Sequence, residues 1–253
     1  MTVVLDSAMG TELARRGFEL RAPLWGARAI RDAPALVTAI HSDAVRAGAE
    51  VVVTASFGLG ADDAELAGAS VALARDAGPR LIAGSVGPAD PTQPEPARRR
   101  HVAALGQALV RAGCDVLFAE TQTTLAGARE AVEVLRPLAR PVWVSLACGT
   151  GGRTLGGDAL EVSLDADAVF VGCTEHVGLE AALASLAPHN PVLGVRPSLA
   201  RTTDAGFEPA GAQELDVVQS VVRCTERFDL AYAGGCCGTT PAFVAALSKA
   251  LSP

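Results

Sequence analysis

Eight short apolar runs recur along the chain, separated by segments of helical composition, and this alternation limits the folds open to it. The runs are Val3–Leu5, Glu50–Ala55, Arg80–Gly84, Asp115–Ala119, Pro141–Leu146, Ala168–Val171, Pro191–Val195 and Asp229–Ala233. They are near-continuous hydrophobics rather than alternating ones, as parallel strands covered on both faces require. Pro34 to Ala47 places Leu36, Val37, Ile40, Ala44 and Val45 on one helical face, and Thr124 to Leu138, Glu175 to Leu186 and Pro241 to Leu251 have similar patterns. A strand-then-helix unit repeated eight times predicts an α/β fold, a (β/α)8 TIM barrel forming one domain over residues 1–253. A doubly wound open sheet is the main alternative, but no Gly-x-Gly-x-x-Gly follows the first run.

Charge and cysteine usage narrow the class of function. The 21 Lys+Arg are outnumbered by 28 Asp+Glu, for a formal net charge of −7, so there is no electrostatic footprint for nucleic acid. The longest basic run, Arg98-Arg99-Arg100, reads as a solvated helix start. No uninterrupted apolar stretch is long enough to span a bilayer. Met1 to Leu5 runs straight into Asp6 without a basic region or a long apolar core, so no secretory signal is expected. Six widely spaced cysteines in such a chain suit reduced thiols and a cytoplasmic location.

Two loops are expected on the C-terminal face of the barrel, where active sites of this fold form. Gly87 to Pro96 carries Pro88, Pro91, Pro94 and Pro96, and Pro197 to Pro209 is polar and contains glycine. Either a lid or an ordinary surface loop fits both stretches.

The ends of the runs carry the chemistry. Asp6 ends the first, Thr54 and Ser56 the second, Glu120-Thr121 the fourth, Cys173 the sixth and Cys236-Cys237 the eighth. In a barrel these converge on one mouth. Asp6 and Glu120 are natural counter-charges for a substrate ammonium group. Cys173, Cys236 and Cys237 are flanked by glycine and could converge on a zinc ion with one position open, though spacing alone leaves packing or a vicinal redox pair open as well. Cys114 and Cys224 read as packing residues, with Cys148 a weaker site candidate. None of His41, His101, His176 and His189 forms a His-Glu-x-x-His arrangement. Zinc held by three thiolates is a poor source of hydroxide but a good holder of a fourth thiolate. It lowers the pKa of a bound thiol from about 8.5, so the expected reaction is alkyl transfer to sulfur.

On these residues the chain resembles the homocysteine S-methyltransferase family. Asp6-Ser7-Ala8-Met9-Gly10-Thr11-Glu12-Leu13 looks like the family's opening motif, Thr54-Ala55-Ser56-Phe57 its second-strand motif and Ala83-Gly84-Ser85-Val86-Gly87-Pro88 its third. Gly113-Cys114-Asp115 through Glu120-Thr121 resembles the fourth, and Gly235-Cys236-Cys237-Gly238-Thr239 is the most specific match. The resemblance implies that Cys173, Cys236 and Cys237 are the zinc ligands. It also implies that Asp6 and Glu120 hold the amino group of homocysteine, with Thr54 helping to fix the amino acid. The chain departs from the pattern at Gly172, where the family usually has Asn, at Arg196-Pro197-Ser198-Leu199, where it typically reads Pro-Asn-x-Gly, and at Gly58-Leu59-Gly60.

The leading expectation is a zinc-dependent thiol S-methyltransferase that methylates homocysteine to methionine. S-methylmethionine or S-adenosylmethionine would be the donor. One alternative is a barrel subunit that exchanges methyl groups with a separate corrinoid protein, acting on another thiol or thioether. The other is a non-catalytic zinc-binding relative.

Overall fold

The computed structural model describes residues 1–203, 206–209 and 211–252. All eight apolar runs contain strands: β1 (Val3–Val4), β2 (Val51–Val53), β3 (Leu81–Val86), β4 (Val116–Gln122), β5 (Val142–Ala147), β6 (Ala168–Glu175), β7 (Leu193–Ser198) and, after a hairpin of β8 (Ala200–Thr203) and β9 (Gly206–Pro209), β10 (Tyr232–Ala233). The eight pair in the order β1-β10-β7-β6-β5-β4-β3-β2, each pair parallel. A parallel bridge from Leu5 to Val51, with Asp6 N donating to Val51 O at 3.0 Å, joins the two outer strands and closes the ring. The architecture is a (β/α)8 TIM barrel.

Side-chain alternation divides the strands into two surfaces. Leu5, Val51, Val53, Ala83, Phe118, Trp143 and Phe170 form one cluster inside the ring. Val4, Val52, Ile82, Leu117, Val144, Val169 and Val171 point outward and pack with the helices. The interior is plugged by aromatics, with Phe118 and Phe170 centroids 4.9 Å apart and Trp143 and Tyr232 4.5 Å apart. A Cβ on Gly194 would lie 2.4 Å from the Phe170 ring, so β7 needs glycine where it passes the plug. The plug makes the lower barrel a packed core and leaves the C-terminal mouth for chemistry.

The outer layer is α1 (Met9–Arg15), α2 (Ala29–Asp32), α3 (Pro34–Arg46), α4 (Ala64–Asp76), α5 (Glu95–Arg111), α6 (Leu125–Leu135), α7 (His176–Leu186), α8 (Glu214–Phe228) and α9 (Pro241–Leu251). Helix α3 buries Val37, Ile40 and Ala44 as its spacing predicts, along with His41. Arg98 pairs with Glu130 at 2.6 Å and Arg99 with Glu133 at 3.0 Å, so two residues of the basic triplet tie α5 to α6. No described helix is long and apolar enough to cross a membrane.

Three segments differ from expectation. Residues 148–167 link β5 to β6 without a helix, because Gly149, Gly151, Gly152, Gly156 and Gly157 disfavour one. Bonds between Thr154 and Asp158 fold that link on itself. The proline-rich loop ends earlier than its composition suggests, since Glu95 and Pro96 begin α5, where proline loses no helical bond. The stretch from Pro197 to Pro209 is not a plain loop: Pro197 and Ser198 complete β7, and β8 pairs antiparallel with β9. Asp204 and Ala205, within that stretch of sequence, lie outside the described residues.

Candidate metal centre

The three cysteines singled out by the sequence meet at the C-terminal mouth of the barrel. The sulfurs of Cys173, Cys236 and Cys237 all lie within 4.8 Å of one another, and those of Cys236 and Cys237 are 4.0 Å apart. Tetrahedral zinc with Zn–S bonds of about 2.3 Å places its sulfurs about 3.8 Å apart, so three soft donors at this spacing fit such an ion. Cys236 and Cys237 are free thiols rather than a vicinal disulfide. Hydrogen bonds from Cys173 and Cys237 hold Cys236 well below the usual thiol range, and the hydrogen bonds it shares with Cys236 and Cys237 push Cys173 well above it.

Backbone irregularities aim these sulfurs. The β6–β7 register slips by one residue between Gly172 and Thr174, and the extra residue is Cys173, with φ 47°. The β4–β5 register slips between Ala119 and Gln122, where Thr121 takes φ 55°. Bulges at strand ends redirect a side chain in this way, and a non-glycine residue in the left-handed region marks strain held by its surroundings. Thr121 Oγ1 lies 3.4 Å from Cys173 Sγ. Gly172 is set by its neighbour, because a Cβ there would sit 2.1 Å from Ser145 Oγ on β5.

The loop carrying Cys236 and Cys237 is fixed on several sides. Gly235 N donates to Asp6 O at 3.0 Å, Cys236 N to Pro197 O at 2.8 Å, and Leu199 N to Cys237 O at 2.7 Å. Gly238 N donates to Thr11 Oγ1 at 3.0 Å, which links the opening motif to the thiol loop. Thr239 Oγ returns to Cys236 O at 2.7 Å.

Beside the thiols lie the two acids, with a residue that sequence reasoning did not assign. Arg196, near the end of β7, reaches Glu120 Oε1 through Nη1 at 2.5 Å and Asp6 Oδ1 through Nη2 at 3.2 Å. Its Nε donates to Gly235 O at 2.9 Å, and its guanidinium lies 5.9 Å from the Phe118 ring centroid. The remaining acid oxygens are also engaged: Val53 N donates to Asp6 Oδ2 at 2.9 Å and Ser85 Oγ to Glu120 Oε2 at 2.5 Å. Burial drives the Asp6 carboxyl up to about 7, although Arg196 and the Val53 amide pull it down, and burial likewise raises Glu120. Arg196 is itself raised, because the attraction of Glu120 and Asp6 outweighs its desolvation. The signal in the sequence was a charged residue directly after the apolar run Pro191–Val195.

Thr54 lies one step back from this triad. It is 3% exposed, accepts from Ser85 N at 2.9 Å and pairs with Ser56 Oγ at 2.7 Å. Through Ser85 it braces Glu120. Cys148 does not join the thiol cluster: it packs in the outer core, where burial pushes its thiol up to about 12. Cys114 and Cys224 are buried too, in keeping with packing roles.

A profile of the homocysteine S-methyltransferase family matches residues 3–251. The homocysteine S-methyltransferase of Escherichia coli strain K12 is 30% identical over 97% of this chain and 94% of its own length. The S-methylmethionine–homocysteine S-methyltransferase BHMT2 of Rattus norvegicus is 29% identical over 99% of this chain and 78% of its own. The crystal structure of the homocysteine methyltransferase MmuM from Escherichia coli, in a metallated form, superposes with a TM-score of 0.80 at 27% identity, covering 98% of this chain and 96% of that one.

Proposed function

The chain belongs to the homocysteine S-methyltransferase family and is a methyltransferase, and from that premise we propose that it moves a methyl group from a sulfonium donor to a small-molecule thiol at a zinc centre formed by Cys173, Cys236 and Cys237. The observation that carries this reading is the mutual approach of three sulfurs within 4.8 Å at the barrel mouth. A structural relative known in a metallated form supports a metal in this chain, and the all-thiolate donor set of the cysteine cluster favours zinc there. When bound, zinc would keep the acceptor sulfur as a thiolate near neutral pH while leaving it nucleophilic.

The protein's own groups do the rest. Hydrogen bonds with Cys173 and Cys237 and the positive charge of Arg196 lower the Cys236 thiol, which suits it to meet a cation as a thiolate. Attack of the acceptor sulfur on the donor's methyl carbon forms an S–CH3 bond and breaks the methyl–sulfonium bond, leaving a neutral thioether from the donor. No proton moves in that step, so no general base is needed beside it. S-methylmethionine, named for the rat relative, and S-adenosylmethionine both have the required sulfonium centre.

Homocysteine is the acceptor that the relatives' names carry. On the family pattern its ammonium would meet Asp6 and Glu120, with Thr54 bracing the pair; here it would also meet Arg196. Free thiols throughout are consistent with a reducing, cytoplasmic setting. The test is metal analysis together with mass-spectrometric detection of methylated product across thiol acceptors and sulfonium donors. About one zinc per chain and transfer from a sulfonium donor are expected, and both should be lost in Cys236→Ser. Activity that appears only with an added methyl-corrinoid protein would replace the donor reading. A metal-free protein with full activity would overturn the zinc centre.

A further inference from the structure

We infer that Arg196 supplies from the protein the cation that Asp6 and Glu120 would otherwise take from an acceptor, so that this chain selects thiols lacking an ammonium group near the sulfur. The inference rests on the thiol-methylation reading and narrows its acceptor.

Three observations carry it. First, the guanidinium bridges the two carboxylates directly, at 2.5 Å from Glu120 and 3.2 Å from Asp6. Second, each of the four carboxylate oxygens already accepts a hydrogen bond, from Arg196, Val53 N or Ser85 Oγ. The guanidinium therefore already occupies the bridging place between Glu120 Oε1 and Asp6 Oδ1 that an incoming ammonium would need. Third, the bridge is built in rather than draped across the site. The Arg196 side chain is 5% exposed, Nε is tied to Gly235 O at 2.9 Å, and the guanidinium lies over the Phe118 ring of the plug. A buried arginine gripping two carboxylates with its fork geometry does not swing aside as a surface lysine would.

An ammonium drawn to these acids would also lie beside the Arg196 guanidinium, and repulsion between the two cations offsets part of the attraction that the acids alone would give it. Removing hydrogen-bond partners from a buried ionic group is where recognition discriminates most strongly. The matching ligand class is a mercapto acid or neutral thiol, whose sulfur reaches the cysteine cluster while its remaining groups avoid the triad.

The test is calorimetric binding of homocysteine and of 4-mercaptobutanoate, its counterpart without the amino group, to the zinc-loaded protein. Methyl transfer to each is measured on the same sample. The expected result is at least tenfold tighter binding of 4-mercaptobutanoate, with Arg196→Gln moving the ratio toward homocysteine by tenfold or more and Arg196→Lys retaining the wild-type order. If Arg196→Gln does not fold, the wild-type ratio alone decides. Equal or tighter binding of homocysteine by the wild type overturns the inference and leaves thiol methylation standing. Binding of neither thiol, without transfer to any thiol, overturns both.

Discussion

Thr121 and Cys173 lie on strands separated by one other, yet both take a left-handed backbone, with φ 55° and 47°, and bring Oγ1 to 3.4 Å from Sγ. Cys173 is the extra residue where the β6–β7 register slips, and Thr121 lies within the β4–β5 slip between Ala119 and Gln122. The first thiol is therefore positioned by paired bulges, and its hydroxyl neighbour belongs to the support of the cluster.

That relationship predicts a metal effect without loss of fold. Thr121→Val removes the hydroxyl while keeping the shape, so zinc should be held about 10-fold to 100-fold less tightly, the usual cost of removing a ligand's supporting partner. Competition with a chromophoric chelator measures it. Unchanged zinc affinity would assign Thr121 to backbone geometry alone.

Zinc should also stabilise the barrel, because the proposed ligands come from β6 and from the loop after β10. Free zinc at about 1,000 times its Kd would add about 4 kcal/mol. Thermal melts with and without chelator should separate accordingly, and Cys237→Ser should melt at one temperature in both.

Gly172 and Ser145 form a steric lock between β6 and β5, since a Cβ on Gly172 would meet Ser145 Oγ at 2.1 Å. Gly172→Ala should cost about 1–3 kcal/mol by overpacking. Adding Ser145→Ala removes the clashing oxygen and should restore most of the loss, as denaturant unfolding of the single and double variants would report.

His41 sits fully buried on α3, where burial lowers its pKa to about 4 from an ordinary 6.5. The unfolded chain takes up a proton below 6.5 that the folded chain refuses until about 4, so stability falls as pH drops through this window. The loss should total about 3 kcal/mol. Asp6 acts in the opposite sense, because its raised carboxyl favours the folded state at low pH and the gain is lost as pH rises toward about 7. The His41 contribution is therefore read as a difference: His41→Leu should lack that acid-side loss in urea titrations at pH 4 to 7.

The sequence by itself determined the barrel and the composition of its mouth. Continuous apolar runs at wide spacing can be covered on both faces only by parallel pairing with helices outside, and all eight became strands. Once they pair in parallel, every strand's C-terminal end falls on one face, so Asp6, Glu120, Cys173 and the Cys236-Cys237 pair had to meet there. Local pattern also placed α9 within its observed bounds, from Pro241 to Leu251, because capping residues and apolar spacing are short-range signals. Tertiary structure alone decided the rest. The helix-free link over residues 148–167, the bulges at Thr121 and Cys173 and the pairing of Arg196 with acids 76 and 190 residues away depend on register and on neighbouring strands. Ion pairing across the barrel leaves no periodic trace along the chain. Arg196 could be read from sequence only as a charge out of place; its closeness to Asp6 and Glu120 turned the expected ammonium subsite into a salt-bridged triad.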